Sequence, residues 1–389
     1  MPPTIVPAAL TPAKKERALV APNIRTLSPY VPGKPIEEVA REYGVDGAVK
    51  LASNENPLGP SPLALRAIRD RLAHAHLYPD GSSFLLKKRL AEYHGVPTSE
   101  VVIGNGTNEI LSLIVRTFLS PGDEALISQQ TFAIYQIALQ ACDRPFTAVP
   151  LKAHRYDLAA MADALTPRTK VCFIANPDNP NGTYVTCAEL ESFLRRVPPG
   201  CLTVLDEAYF EFAHGAGLAD YPDGAELRRR FPRLVVLRTF SKSYGLAGVR
   251  VGYGLCEPEV AQYLDRVRDA FNVSSIAQWA AAAALDDRAH LARTIAVVNE
   301  GRDFLMRELP RFGFHVVPSA ANFVLCEIGR SGKEFFEALL PHGVIVRPLD
   351  AYRMPEAVRI SVGTEKDNQR LLFAIDQVLS EERVKAAGT

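Results

Sequence analysis

The sequence predicts an α/β protein: a large lobe on a mainly parallel mixed sheet flanked by helices, and a smaller α+β lobe. Three observations carry this. From Pro62 onward, short β-branched runs alternate with amphipathic helical segments, as in strands joined by helical crossovers. After about residue 287 that regular alternation gives way to a long helical stretch and then to closely spaced strands. A chain of 389 residues also exceeds what one small core organises, since domains run to roughly 100–200 residues.

Taken in order, residues 1–28 predict a loose, partly disordered arm, because Pro2, Pro3, Pro7, Pro12 and Pro22 interrupt regular structure. Strands are expected at Val101–Gly104, Glu124–Ser128, Val171–Ala175, Thr203–Asp206, Val235–Arg238 and Gly252–Cys256. Helices lie between them, among them Thr107–Phe118, with Thr107 as its N-cap, and Ala188–Arg196. Asp287–Leu309 then carries the chain out of the large lobe. Strand Asn322–Cys326, helix Lys333–Leu340, strands Val344–Arg347 and Val358–Ser361, and helix Glu365–Leu379 follow. The large domain is thus expected at 55–286, and the small one at 287–389 completed by 29–54.

Composition narrows the function. Lys plus Arg equals Asp plus Glu, and no basic stripe with interleaved aromatics occurs, so nucleic acid is not an expected partner. The six cysteines lack ligand spacing, which argues for buried thiols in a reducing cytoplasm and against a metal site. The start of the chain lacks the apolar segment of a signal peptide, and no apolar run is long enough to cross a bilayer. A cytoplasmic protein with no membrane partner is the expectation.

The chemistry concentrates at predicted strand ends. In RTFSKSYGLAGVRVGY (238–253), Lys242 follows a buried-looking strand, where burial beside cations lowers an amine's pKa and makes it a nucleophile toward an aldehyde. Thr239, Ser241 and Arg250 offer two hydroxyls and a guanidinium for a phosphate close to that amine. Gly104-Asn105-Gly106-Thr107-Asn108 offers a second phosphate cradle at a helix start. Asp206 ends an apolar strand, so its charge needs a cation or donors, and a pyridinium nitrogen would serve. Tyr209 lies within reach of the same pocket. Asn179, in the turn-rich NPDNPNG run, can hydrogen-bond a phenolic oxygen, and Phe132 follows another strand. All would meet beyond the carboxyl ends of the strands, where open α/β sheets bind ligands.

These blocks, with LSPYVPGKPIEEVAREYG, LASNENPLGPSP, LYPDGSS, TFAIY, DEAYFEF, ANFVL and VRISVGT, span about residues 28–379. They resemble fold-type I aminotransferases dependent on pyridoxal 5′-phosphate (PLP), and within them the histidinol-phosphate group. The resemblance implies a homodimer with shared active sites. It makes Lys242 the lysine that binds the cofactor aldehyde and shuttles the proton, Asp206 the pyridinium partner, and Asn179 and Tyr209 the ligands of the ring's 3′-oxygen. It makes Phe132 the stacking ring, and Thr107, Asn108, Ser241 and Arg250 phosphate contacts. Tyr78 resembles a tyrosine that reaches the phosphate of the other subunit. Arg359 is similar to the arginine that grips the substrate's acidic group by two prongs, with Tyr30, Asn54, Asn322 and Arg347 at the remaining substrate positions. Asn181, Ser243 and Thr107 depart from the usual threonine, alanine, and serine or alanine at those positions.

The implied reaction moves an amino group between L-histidinol phosphate and 2-oxoglutarate, a step of histidine biosynthesis. Two alternatives share the scaffold: an aromatic amino acid (phenylalanine or tyrosine) aminotransferase, and a PLP-dependent threonine-phosphate decarboxylase. A regulator's aminotransferase-like module is not expected, because the arm before Ser28 is too short for a DNA-binding domain.

Overall fold

A computed structural model describes residues 19–387 apart from Val31 and Asp46. Residues 1–18 of the expected arm lie outside the described residues. Its last part is not irregular: Pro22–Arg25 forms one helical turn, with Pro22 at the first position, where its missing N–H leaves no bond unmade. Asn23 Nδ2 donates to the Gln140 carbonyl at 2.9 Å and Gln140 Nε2 donates to the Asn23 carbonyl at 3.3 Å, so the turn is tied to helix Ala133–Ala141.

Strand β1 (Val49–Lys50) comes first. The large lobe follows with β2 (Val101–Gly104), β3 (Glu124–Ser128), β4 (Phe146–Val149), β5 (Thr169–Ala175), β6 (Leu202–Asp206), β7 (Leu234–Thr239) and β8 (Gly252–Leu255). They form one seven-stranded sheet in the order β2-β8-β7-β6-β5-β3-β4. Only β8 runs against its neighbours, pairing antiparallel with both β2 and β7, while the other pairings are parallel. β4 was not expected from the sequence; it is an edge strand whose FTAV is only partly buried, so its apolar signal is weak. Cys256 falls just outside β8.

Both faces of this sheet are covered, because its central strands are apolar on both sides. One face packs Ile103, Leu205 and Val236 against Leu86, Leu90 and Ala281, and the other packs Val102, Phe173 and Leu237 against Ile110, Leu111 and Ile114. Each of the Val, Leu, Ile and Phe side chains among them contributes about 1.5–3 kcal/mol when fully buried.

Helix Arg288–Glu308, capped by the Asp287 side chain on the His290 N–H, then leads to β9 (His315–Val317), β10 (Phe323–Glu327), β11 (Val344–Ile345), β12 (Arg347–Leu349) and β13 (Met354–Ser361). The strand expected over 344–347 is two strands in different sheets. β11 pairs in parallel with β1, while β12 joins an antiparallel sheet ordered β12-β13-β10-β9. A third core, with Phe323, Val358, Ile360, Leu305 and Ile375, also takes in Leu51 and Tyr209. Helix Glu365–Ala387 runs further than its expected end at Leu379.

Candidate active site

The parallel strands end at one edge of the sheet, and five of them deliver the expected residues there: Asn108 after β2, Phe132 after β3, Asn179 after β5, Asp206 at the end of β6 and Lys242 after β7. Arg250 comes from a strand's beginning instead. It reaches the same edge because β8 is reversed, which puts the start of β8 beside the end of β2 in the register Gly104↔Gly252. A cavity of about 220 Å³ opens there, lined among others by Asn54, Thr107, Asn108, Phe132, Lys242 and Arg359. Tyr30, Asn179, Asp206, Tyr209, Thr239, Ser241 and Arg250 also line it.

At its floor, Asp206 is buried, with Oδ2 accepting from the Tyr135 hydroxyl at 2.9 Å and Oδ1 from the Ala208 N–H at 3.2 Å. Burial pushes the carboxyl up to about 6, against the two donors and the more distant Lys242 charge. Among the described residues, no Lys, Arg or His forms an ion pair with Asp206. Lys242 is half-buried, and its Nζ donates to the Ser53 carbonyl at 3.2 Å. Burial first, then Arg359 and Arg250, lower its amine to about 8, while Glu55 and Asp206 act the other way.

At one end, helix Thr107–Phe118 points its first N–H groups at the cavity. Thr107 is not its N-cap as expected: Gly106 holds that position at φ 76°, which only glycine adopts without strain. A Cβ on Gly106 would also overlap the Arg250 guanidinium. Arg250 is itself left-handed at φ 59° and donates to the Ala247 carbonyl at 3.0 Å and weakly, at 3.5 Å, to Ser241 Oγ. The Ser241 N–H donates to Thr239 Oγ1 at 3.1 Å. Two hydroxyls, a guanidinium and a helix N-terminus therefore border one small space, a donor set suited to a phosphate.

At the other end, Arg359 is buried; Nη1 donates to Asn179 Oδ1 and Nη2 to the Ala52 carbonyl at 2.7 Å. Its Nε has no partner, so a buried guanidinium N–H stands ready for an acceptor. Tyr209 accepts from Asn54 Nδ2 at 3.0 Å, and burial pushes its hydroxyl well above the usual tyrosine value.

Three expected site residues do not line the cavity. Asn322 is buried behind Asn54, donating Nδ2 to the Asn54 carbonyl at 3.0 Å. The Arg347 guanidinium lies 5.7 Å from the centre of the Tyr30 ring. Tyr78 is 82% exposed and stacks on Phe271 at 4.8 Å.

Sequence reasoning missed Tyr135, whose signal is hidden inside an apolar helix. It also missed a buried network in which Thr131 Oγ1 donates to Asp178 Oδ1 at 2.8 Å and shares a 2.5 Å hydrogen bond with the Tyr156 hydroxyl. Asn181, the residue that departs from the usual threonine, donates Nδ2 both to Asp178 Oδ2 and to the Gln130 carbonyl, joining the loop of Asn179 to that of Phe132.

Residues 46–375 match the family model described as aminotransferase class I and II. A histidinol-phosphate aminotransferase of Anaeromyxobacter sp. is 54% identical over 363 residues, covering 93% of this chain and 99% of the relative. Histidinol-phosphate aminotransferase 2 of Pseudomonas fluorescens is 49% identical, covering 93% and 98%. Among solved structures, the histidinol-phosphate aminotransferase of Sinorhizobium meliloti in complex with pyridoxal-5′-phosphate superposes with a TM-score of 0.84 at 29% identity, covering 94% of this chain and 99% of that one.

Proposed function

This chain belongs to the class I and II aminotransferases, and from that premise we propose that it moves an amino group between L-histidinol phosphate and 2-oxoglutarate, using PLP, in histidine biosynthesis. The observation that carries the substrate is the identity of 54% and 49% to relatives bearing that activity's name, over almost their full length.

The residues present fit the cofactor. Asp206 is a buried carboxylate with donors but no ion-pair partner among the described residues, which suits a protonated ring nitrogen. The absence of a Cβ on Gly106 lets the Arg250 guanidinium lie against the turn that opens helix Thr107–Phe118, and a cation beside a helix N-terminus suits a phosphate. Asp206 would hold the ring nitrogen, Asn179 and Tyr209 the phenolic oxygen, Phe132 one ring face, and Thr107, Asn108, Thr239, Ser241 and Arg250 the phosphate. Bound PLP supplies a carbonyl that exchanges for the amino group and a ring that takes up electrons from the carbon next to nitrogen.

The chain's own groups do the rest. Lys242 Nζ, lowered to about 8, is a usable proton acceptor near neutral pH and returns the proton from a four-carbon stem. Asp206 would keep negative charge opposite the ring nitrogen. Arg359 offers a fork whose Nε is unpaired, fitted to a carboxylate in one half-reaction and a phosphate in the other. Tyr30, which lines the cavity, and Arg347, beside its ring, would assist it.

A homodimer and a cytoplasmic location complete the proposal. The outward Tyr78–Phe271 stack supports the first as an aromatic pair left exposed on one subunit. Free cysteines support the second. No helix among the described residues is long and apolar enough to cross a membrane.

The test is a kinetic comparison, with 2-oxoglutarate as acceptor, of histidinol phosphate against phenylalanine and tyrosine. A large preference in kcat/KM for histidinol phosphate is expected. A preference for phenylalanine, or carbon dioxide release from threonine phosphate without use of 2-oxoglutarate, would overturn it.

A further inference from the structure

Ser361 ends β13 two residues beyond Arg359, and the period of two along a strand puts both side chains on one face. Ser361 is buried and outside the cavity lining, yet it meets Asn54 twice: the Asn54 N–H donates to Ser361 Oγ at 2.8 Å, and Ser361 Oγ donates to Asn54 Oδ1 at 2.9 Å. Asn322 fixes the Asn54 carbonyl from the other side at 3.0 Å. Asn54 thereby keeps a left-handed backbone, φ 55°, and its Nδ2 donates to the Tyr209 hydroxyl at 3.0 Å.

We infer that Ser361 is a positioning residue: by fixing which end of the Asn54 amide faces Tyr209, it makes the Tyr209 oxygen an acceptor there and turns the Tyr209 proton toward the cavity. Donors and acceptors count out only one way. Ser361 Oγ already accepts from the Asn54 backbone, so its own proton needs an acceptor, and Asn54 Oδ1 is the one it has. A flipped amide would set a donor against that hydroxyl and leave a buried proton unpaired, a penalty larger than the bond itself contributes. With Oδ1 committed to Ser361, Nδ2 must face Tyr209. A phenol that accepts at that side has its proton free for a partner in the cavity.

This rests on the proposal that Tyr209 faces the phenolic oxygen of PLP. A donor to that oxygen stabilises its negative charge, and losing the donor makes the oxygen hold a proton more tightly. The readout is the pH midpoint of the visible absorption band of PLP in the holoenzyme. Tyr209→Phe is expected to move the midpoint upward by about one pH unit. Ser361→Ala should move it the same way by most of that amount, Ser361→Thr should leave it near the parent value, and Ser361→Ala in the Tyr209→Phe background should add nothing. If Ser361→Ala does not fold, Ser361→Cys, nearly isosteric with a weak S–H donor, should give a smaller upward shift. A midpoint that moves with Tyr209→Phe but stays at the parent value with Ser361→Ala overturns the role of Ser361 alone, as does a full Ser361→Ala shift in the Tyr209→Phe background. A midpoint unmoved by Tyr209→Phe overturns the premise that Tyr209 faces PLP.

Discussion

The Tyr135 hydroxyl donates to Asp206 Oδ2 at 2.9 Å, while its ring lies flat on Phe173 at 5.0 Å and takes Phe132 edge-on at 5.7 Å. One side chain thus ties the acid at the cavity floor to the aromatic on its wall. Tyr135→Phe keeps the packing and removes the donor, so Asp206 is left with the Ala208 N–H alone and its carboxyl rises further above 6. A hydrogen bond to a charged group contributes about 1.5–3 kcal/mol, so PLP should dissociate about tenfold more readily near neutral pH. Equilibrium dialysis of PLP measures this; unchanged retention would remove Tyr135 from the site.

Lys242, lowered to about 8, is an ammonium below that pH and a free amine above it. Covalent capture of the PLP aldehyde by cofactor-free protein needs the free amine. The capture rate should therefore climb about tenfold per pH unit and level off above pH 8. Stopped-flow absorbance follows it, and a rise that continues to pH 10 would mark an ordinary surface lysine. Lys242→Ala should bind PLP weakly and lose turnover by orders of magnitude.

Gly106→Ala puts a side chain on a left-handed backbone and into the Arg250 guanidinium. The strain is about 1 kcal/mol or more, and the phosphate end would be narrowed as well. PLP affinity is expected to fall more than tenfold, with a much smaller change in KM for the amino donor in PLP-saturated enzyme. Fluorescence titration with PLP and steady-state kinetics separate the two.

Asp178 is fully buried, and desolvation pushes its carboxyl up to about 7 against the Asn181 and Thr131 donors. Between about pH 4, the ordinary aspartate value, and pH 7 the folded protein binds more protons at this group than the unfolded chain does. Its contribution to stability is thus fully present below pH 4 and is lost as pH rises through 7. Asp178→Asn should flatten the fall of Tm over that range in cofactor-free protein, which differential scanning fluorimetry records. An unaltered slope would mean that Asp178 is ionised throughout.

The alternation of strand and helix, the large parallel sheet and the residues at its carboxyl edge were legible because they are local. Asp206 closes the apolar run of β6, and Lys242 comes three residues after β7 ends at Thr239, so a strand's length and the polar residues at and just beyond its end suffice to name them. Elements with weak local signals were not legible. β4 is short and half-exposed, and the split of residues 344–349 between two sheets turns on partners almost 300 residues away in one case and about 10 in the other.

By itself the sequence determined which side chains could do this chemistry, since amines, acids and hydroxyls at strand ends are written residue by residue. Only the tertiary structure decided how they are held. The reversal of β8 brings Arg250 to Gly106, the helix after β3 brings Tyr135 to Asp206, and β13 brings Ser361 to Asn54, 307 residues earlier in the chain. The physical reason is that a buried donor must find its acceptor wherever packing puts one, and that pairing depends on distance in space, which no local pattern of residue types encodes.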